Sequence, residues 1–162
     1  MNIKKVLIPL FVVAILSFSF FTPGPQNKAK AYGITQVTNK GYQSKYYGKW
    51  KNGVTGAGKA TLTLSKTVTV SNSYTGTLTA SKGAVSSAVG FNITSSRSTT
   101  ASYSVSVPKG KKYTIQYRPV YKKYKAVQKK YESAGGVMVL LESKNIYPLK
   151  YDHLEYRYIT TK

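Results

Sequence analysis

The most regular feature of this chain is an alternation of hydroxyl-bearing and apolar positions through its middle. Every odd position over 61–81 is Ser or Thr, and the even positions between them include Leu62, Leu64, Val68, Val70, Tyr74, Leu78 and Ala80. A period of two puts hydroxyls on one face of an extended strand and apolar side chains on the other, whereas a helix would scatter the hydroxyls around its circumference. Thr and Val also prefer the pleated backbone. The pattern predicts a strand, or two strands in line, over 61–81. After the small-residue connection 83–90 it returns with opposite parity. Asn92, Thr94, Ser96, Ser98, Thr100, Ser102, Ser104 and Ser106 form the polar face, and Phe91, Ile93, Ala101, Tyr103, Val105 and Val107 the apolar one. Two such segments joined by a short connection predict a long antiparallel hairpin. It should end at Pro108, which has no N–H to give to a ladder.

The remaining pattern is also sheet-like. Tyr113, Ile115 and Tyr117 alternate before Pro119, positions 137–141 form a compact apolar run after Gly135 and Gly136, and 147–158 is aromatic and strand-prone. One stretch reads differently: over 121–132, Tyr124, Val127 and Tyr131 fall on one side of a short helix with lysines elsewhere. The expected fold is all-β, a mostly antiparallel sheet or sandwich with one long Ser/Thr-rich hairpin and that short helix. No repeat of solenoid length is present.

The first residues form a separate pattern. Lys4 and Lys5 precede an almost unbroken apolar run over 6–21, followed by Pro23-Gly24-Pro25 and the small-residue site Ala29-Lys30-Ala31. This is the order of a signal peptide, with cleavage expected after Ala31. The run is short for a membrane span of about 20 residues, and Pro9 interrupts it, which disfavours the competing reading of an uncleaved anchor. The long leader resembles those of Gram-positive bacteria and implies a secreted, extracellular protein. The expected organisation is a leader over 1–31, a Gly-, Lys- and aromatic-rich segment over 32–58 that holds Trp50, and a β-rich domain over 59–162.

Charge sharpens the picture. The 162 residues contain 25 Lys plus Arg against 4 Asp plus Glu, a formal charge of +21. Removing 1–31 takes away Lys4, Lys5, Lys28 and Lys30, which leaves 21 basic residues, 4 acids and a charge of +17. All four acids, Glu132, Glu142, Asp152 and Glu155, come late, so 32–131 has no carboxylate. Such a chain repels itself and attracts polyanions with a strength that falls as salt rises. The absence of cysteine excludes disulfides and thiol chemistry, and one His with four carboxylates leaves little for acid–base or metal catalysis. No enzyme and no cofactor are expected. Positions 53–60 nearly spell a phosphate-binding loop, but Ala60 stands at the magnesium-ligating position and a strand pattern follows where a helix should begin. His153 beside Asp152 reads as a surface histidine.

The densest charge lies over 109–131, where Lys111, Lys112, Arg118, Lys122, Lys123, Lys125, Lys129 and Lys130 are interleaved with tyrosines, notably Tyr121 and Tyr124. Lysine supplies sequence-independent attraction to phosphates, and tyrosine sits at a headgroup interface, on a base or against a sugar. These ten residues are the candidate anionic-surface contact, with Lys45, Lys49 and Lys51 around Tyr46, Tyr47 and Trp50 as a second half. The partners this implies are anionic envelope polymers or anionic lipids, with nucleic acid bound only non-specifically.

The hydroxyl ladders, followed by Val105-Ser106-Val107-Pro108-Lys109-Gly110-Lys111 and another strand, resemble the insertion region of aerolysin-type β-pore-forming toxins. They are also similar to small secreted proteins of Gram-positive bacteria with the same ladder and Val-Pro-x-Gly-Lys turn. The resemblance covers the middle third to half of the chain. It implies a second function, a homo-oligomer that inserts 61–107 into a membrane with Leu62, Leu64, Val68, Val70, Leu78, Phe91, Ile93, Val105 and Val107 toward lipid. Lys66, Asn72, Ser95, Arg97 and Thr99 fall on that same face, and a central Lys or Arg toward lipid costs about 2–4 kcal/mol per strand. The leading expectation is therefore a secreted, non-enzymatic adsorber, with the pore-former as its rival and an inhibitor or hydrolase with no visible site as a weaker third. N-terminal sequencing of the exported protein should begin at Tyr32; a product retaining 6–21 would overturn the leader reading.

Overall fold

The computed structural model describes residues 33–161; the leader and its expected cleavage site at Ala29 and Ala31 lie outside the described residues. The fold is all-β and antiparallel with one helix. Its elements are β1 (Gly33–Tyr47), β2 (Lys51–Ala57), β3 (Ala60–Ser71), β4 (Ser73–Thr75), α1 (Lys82–Val89), β5 (Ser96–Val107), β6 (Lys112–Ala134) and β7 (Val137–Thr160). The main sheet runs β1-β6-β7-β4, with β2 pairing the first part of β6 beside β1. A second sheet is the β3–β5 pair alone. The Gly-, Lys- and aromatic-rich segment thus supplies two strands of the main sheet.

The sheet is organised on β6, 23 residues long and roughly 75 Å from end to end. Its register with β7 shifts where Asp152 and Leu141 are extra, its register with β1 shifts near Gly41 and Gln43, and its register with β2 shifts between Asn52 and Thr55. Every extra residue is in a neighbour, so β6 keeps one alternation of faces along its length. Pro119 interrupts its flank. β1 ends opposite Val120 and β2 resumes opposite Tyr117, because the proline has no N–H for a strand there. Instead Gly48 N donates to Pro119 O at 2.8 Å, and a Cβ at Gly48 would stand 2.7 Å from Pro119 Cγ.

The two faces of β6 carry different layers. On the odd face, Ile115 and Tyr117 pack with Leu64 and Ala101 of the β3–β5 pair, joined by Leu62, Val68, Val105, Leu154 and Tyr156. Gly53 and Gly56 let this layer approach: Leu64 Cδ1 and Leu62 Cδ1 occupy the space of their missing side chains, at 2.8 and 2.7 Å. Of the three glycines in 53–60, Gly53 and Gly56 are packing positions and Gly58, with φ 90° and open space around it, serves the turn. On the even face, Ala126 with Ile146 of β7 packs against Ala80, Val85, Val89 and Ile93 around α1. Gln128, buried on that face, accepts from the N–H groups of Thr79 and Ala80, both at 2.9 Å, and donates to Thr77 O at 2.9 Å.

The predicted hairpin is present but shorter. β3 and β5 pair from Ala60↔Val107 to Ser71↔Ser96, and Val107 is followed by the Pro108 turn as expected. The strand predicted over 61–81 stops at Ser71. Asn72 redirects it: its N–H donates to Ser95 O at 2.8 Å, its Nδ2 to Asn92 O at 2.8 Å, and its Oδ1 accepts from Tyr151 N at 2.8 Å. Ser73–Thr75 then joins the main sheet at β7. The 83–90 connection is the helix α1, because Ser81 Oγ caps it by accepting from Ala84 N, Gly90 closes it with φ 77°, and Val85 and Val89, four apart, share its buried side. Leu78, Phe91 and Ile93 consequently leave the expected hairpin face and pack around this helix. The helix predicted over 121–132 is a correction in the opposite direction: this stretch is continuous β6, hydrogen-bonded on both edges. Pairing with two neighbours outweighs the local helical spacing of Tyr124, Val127 and Tyr131.

Replacing Gln128 by Ala strands the buried N–H of Ala80, the part-buried N–H of Thr79 and a carbonyl, and should cost about 2–4 kcal/mol in urea unfolding; a loss under about 0.5 kcal/mol would mean the 77–80 segment is not held by this side chain.

Candidate functional site

The strand geometry divides the ten residues of the basic aromatic segment. Lys111 lies in the turn after Pro108. Alternation along β6 then sends Lys112, Arg118, Lys122, Tyr124 and Lys130 to the even face and Tyr121, Lys123, Lys125 and Lys129 to the odd face. Lys112 and Lys130 are roughly 60 Å apart along the strand. The segment is a two-sided stripe rather than one patch.

The cross-strand register builds something more local. Lys122 pairs with Lys45 of β1 on one side and Lys150 of β7 on the other, three lysines abreast on the even face. The next residues form a matching row on the odd face, Tyr46, Tyr121 and Tyr151, with ring centroids 6.2 and 6.1 Å apart. Like charges directly opposite one another destabilise a sheet, so the lysine row holds a repulsion that a bound anion would relieve. All three lysines are exposed.

One carboxylate tempers the row. Asp152 is the extra residue of the β7 bulge, and its Oδ1 lies 3.3 Å from Lys122 Nζ while Oδ2 lies 3.1 Å from His153 Nδ1. Burial pushes the Asp152 carboxyl up, but the hydrogen bonds and charges of His153 and Lys122 together outweigh it and hold the group below the ordinary aspartate value. On the odd face, burial first, and then neighbouring Tyr151 and Tyr46, push the Tyr121 hydroxyl up. Burial also raises Tyr151, against the opposing pull of Arg97. Both stay protonated at neutral pH and add no negative charge beside the lysines.

Arg118 has a different role from the lysines. It donates from Nε and Nη2 to Glu155 Oε2 at 2.9 and 2.8 Å, and its guanidinium lies 4.2 Å from the Tyr47 ring and 4.5 Å from Trp50. Arg157 stacks on Trp50 at 4.2 Å and donates from Nε to Gln116 Oε1 at 2.8 Å. The loop forced by Pro119 puts Trp50 into this ladder, where Arg118 serves packing and its charge is matched. Lys123 lies 4.5 Å from the Tyr147 ring, and Lys150 lies 5.5 Å from Phe91.

Beside the lysine row a cavity of about 240 Å³ opens, lined by Asn72, Phe91, Asn92, Arg97, Lys150 and Tyr151 among others. Arg97, on the sheet-facing side of β5, is accommodated by the Tyr151 ring at 4.4 Å. The cavity is large enough for a phosphate-sized anion and has cations on two sides. Among the described residues no three His, Cys, Asp or Glu side chains group as a metal site. The sequence reading placed Lys45 near the basic segment but missed Lys150. The dipeptides Lys45-Tyr46, Tyr121-Lys122 and Lys150-Tyr151, reversed in the middle one as antiparallel neighbours require, were the available signal. No protein-family model matches this sequence, and no curated protein matches it.

Lys45→Gln or Lys150→Gln should raise unfolding stability by about 0.2–1 kcal/mol at low salt, a gain that shrinks in 1 M salt. Asp152→Asn should lower stability. A carboxyl held low in the folded state stabilises above its unfolded value of about 3.9 and loses that contribution as pH falls through the folded one, so the Asp152→Asn deficit should shrink as pH falls below the unfolded value. Urea unfolding across pH and salt checks both, with small effects because the pair is partly solvated.

Proposed function

We propose that the protein is a secreted, cationic, non-enzymatic β-protein that adsorbs to anionic components of a cell envelope or extracellular matrix, either phosphate-bearing polymers or anionic lipid headgroups. The observation that carries this reading is the row Lys45, Lys122 and Lys150, fixed by strand register with Asp152 as its nearby carboxylate. The sheet holds the backbones of these lysines in register, so only their side chains remain to be ordered on binding, and a polyanion gains attraction and removes repulsion at once. The chain's overall excess of positive charge adds longer-range steering, sensitive to ionic strength. Nucleic acid would be held by the same charges without sequence preference.

The competing insertion reading asks β3 and β5 to leave the core. In the folded protein their Leu64, Ala101 and Val107 are buried, and Arg97 is engaged with Tyr151. Unzipping that face exposes apolar surface before any lipid covers it, so adsorption is the reading the geometry supports better.

Replacing Lys45, Lys122 and Lys150 together by Gln should weaken retention on immobilised teichoic acid or phosphatidylglycerol vesicles. At about 1 kcal/mol per lysine the loss is roughly a hundredfold, and wild-type binding itself should fall steeply between 50 and about 500 mM salt. Retention unchanged by the triple substitution would remove the row from the function. Binding that is insensitive to salt would overturn the electrostatic reading altogether.

A further inference from the structure

The apolar run over 137–141 has the pattern of a core strand, but it is not in the core. It forms the start of β7 at the far end of the β6–β7 hairpin, just past the Gly135-Gly136 turn. Val137, Met138, Val139, Leu140 and Leu141 are 65, 43, 45, 47 and 52 % exposed. Consecutive residues point to opposite faces, so neither face of the tip is covered among the described residues. Beyond Glu132↔Val139 even β1 has ended, and the hairpin continues as two strands alone.

The residues behind the tip are ordered by distance from the turn. Val137 and Met138 come first, then Val139 opposite Glu132. Tyr131, opposite Leu140 and beside Ile34, comes about 15 Å back. Lys130, Lys129 and Lys144 follow, and Glu142 among them is paired with Lys144. An apolar end, a tyrosine and a collar of lysines match, in order, the acyl region, the interface and the anionic headgroups of a bilayer. A convex protrusion of this kind fits a deformable surface; a protein partner would have to supply a groove for it.

We propose that this tip anchors the protein in an anionic phospholipid bilayer, entering its outer leaflet without spanning it. The proposal rests on the adsorption reading, since the lysines bring the chain to the surface, and it selects lipid over polymer as the partner. Glu132 limits the depth. Its backbone lies roughly 12 Å from the turn, so insertion beyond the interfacial depth of about 5–10 Å would drag a carboxylate into hydrocarbon.

The chain has no cysteine, so a single introduced thiol can carry an environment-sensitive NBD label. With label on Met138→Cys, adding vesicles of phosphatidylglycerol and phosphatidylcholine should shift emission to the blue and raise its intensity severalfold, with quenching by shallow spin-labelled lipids. A label on Ser143→Cys, in the collar, should stay in a wet environment. Val137→Asp with Met138→Asp, the two side chains ahead of Glu132, should lower vesicle affinity at least about tenfold while melting and retention on teichoic acid stay unchanged. Vesicle binding with a Met138 label that remains aqueous would overturn the anchor and leave adsorption standing. Binding to teichoic acid but not to vesicles would do the same. A Met138 label already shielded without vesicles, or a dimer in sedimentation abolished by the Asp pair, would show that this chain covers its own tip and would overturn the proposal. Loss of binding to both vesicles and teichoic acid would remove the adsorption reading as well.

Discussion

The structure depends on one long strand that never breaks its alternation. β6 is hydrogen-bonded on both edges for most of its length, and its neighbours absorb every extra residue as bulges. Backbone pairing on both edges fixes which side chains face which layer, and a slip of one residue would exchange the faces throughout. The β3–β5 layer, the α1 cluster and the Trp50 ladder are all placed by that fixed parity. The single interruption, Pro119, withholds one donor and so opens the gap into which Trp50 folds.

The same hairpin concentrates the chain's few carboxylates. Glu155 matches Arg118, Asp152 reaches Lys122, and Glu142 pairs with Lys144. The described strands from β1 to β5 contain no acid at all. Arg118, packed between Tyr47 and Trp50, has a carboxylate beside it, whereas Arg157 on Trp50 and Arg97 on Tyr151 are held by neutral groups. Where cations stand on the exposed surface, as at Lys45 and Lys150, water and salt are left to screen them. The ring-packed arginines serve the fold, and the exposed lysine row is left to a partner. It also limits stability, because directly opposed lysines oppose the pairing of the strands that carry them.

The legibility of this sequence followed the reach of its patterns. The alternation over 61–71 and 96–107 was readable because one face meets a layer and the other meets water. The extension to 81 was misleading: Ser73, Thr75 and Ser81 keep the ladder's parity while serving an edge strand and a helix cap. The 121–132 stretch was misread as helix because β6 is covered unevenly on both faces, which blurs a period of two into spacings that a helix also satisfies. In the candidate site the lysines of the basic segment were legible as charge. Their division between two faces, the joining of Lys122 to Lys45 and Lys150, and the use of Arg118 for packing were not.

Residue order alone determined that this chain is antiparallel sheet and overwhelmingly cationic, because side-chain period and charge are properties of neighbours in the chain. Only the tertiary structure decided where each strand stops, which lysines stand abreast, and that an apolar run with the composition of a core lies in the open. Those outcomes depend on pairing between residues up to about a hundred positions apart, such as Lys45 with Lys122 and Asn72 with Tyr151, and no local pattern encodes the register that such partners adopt.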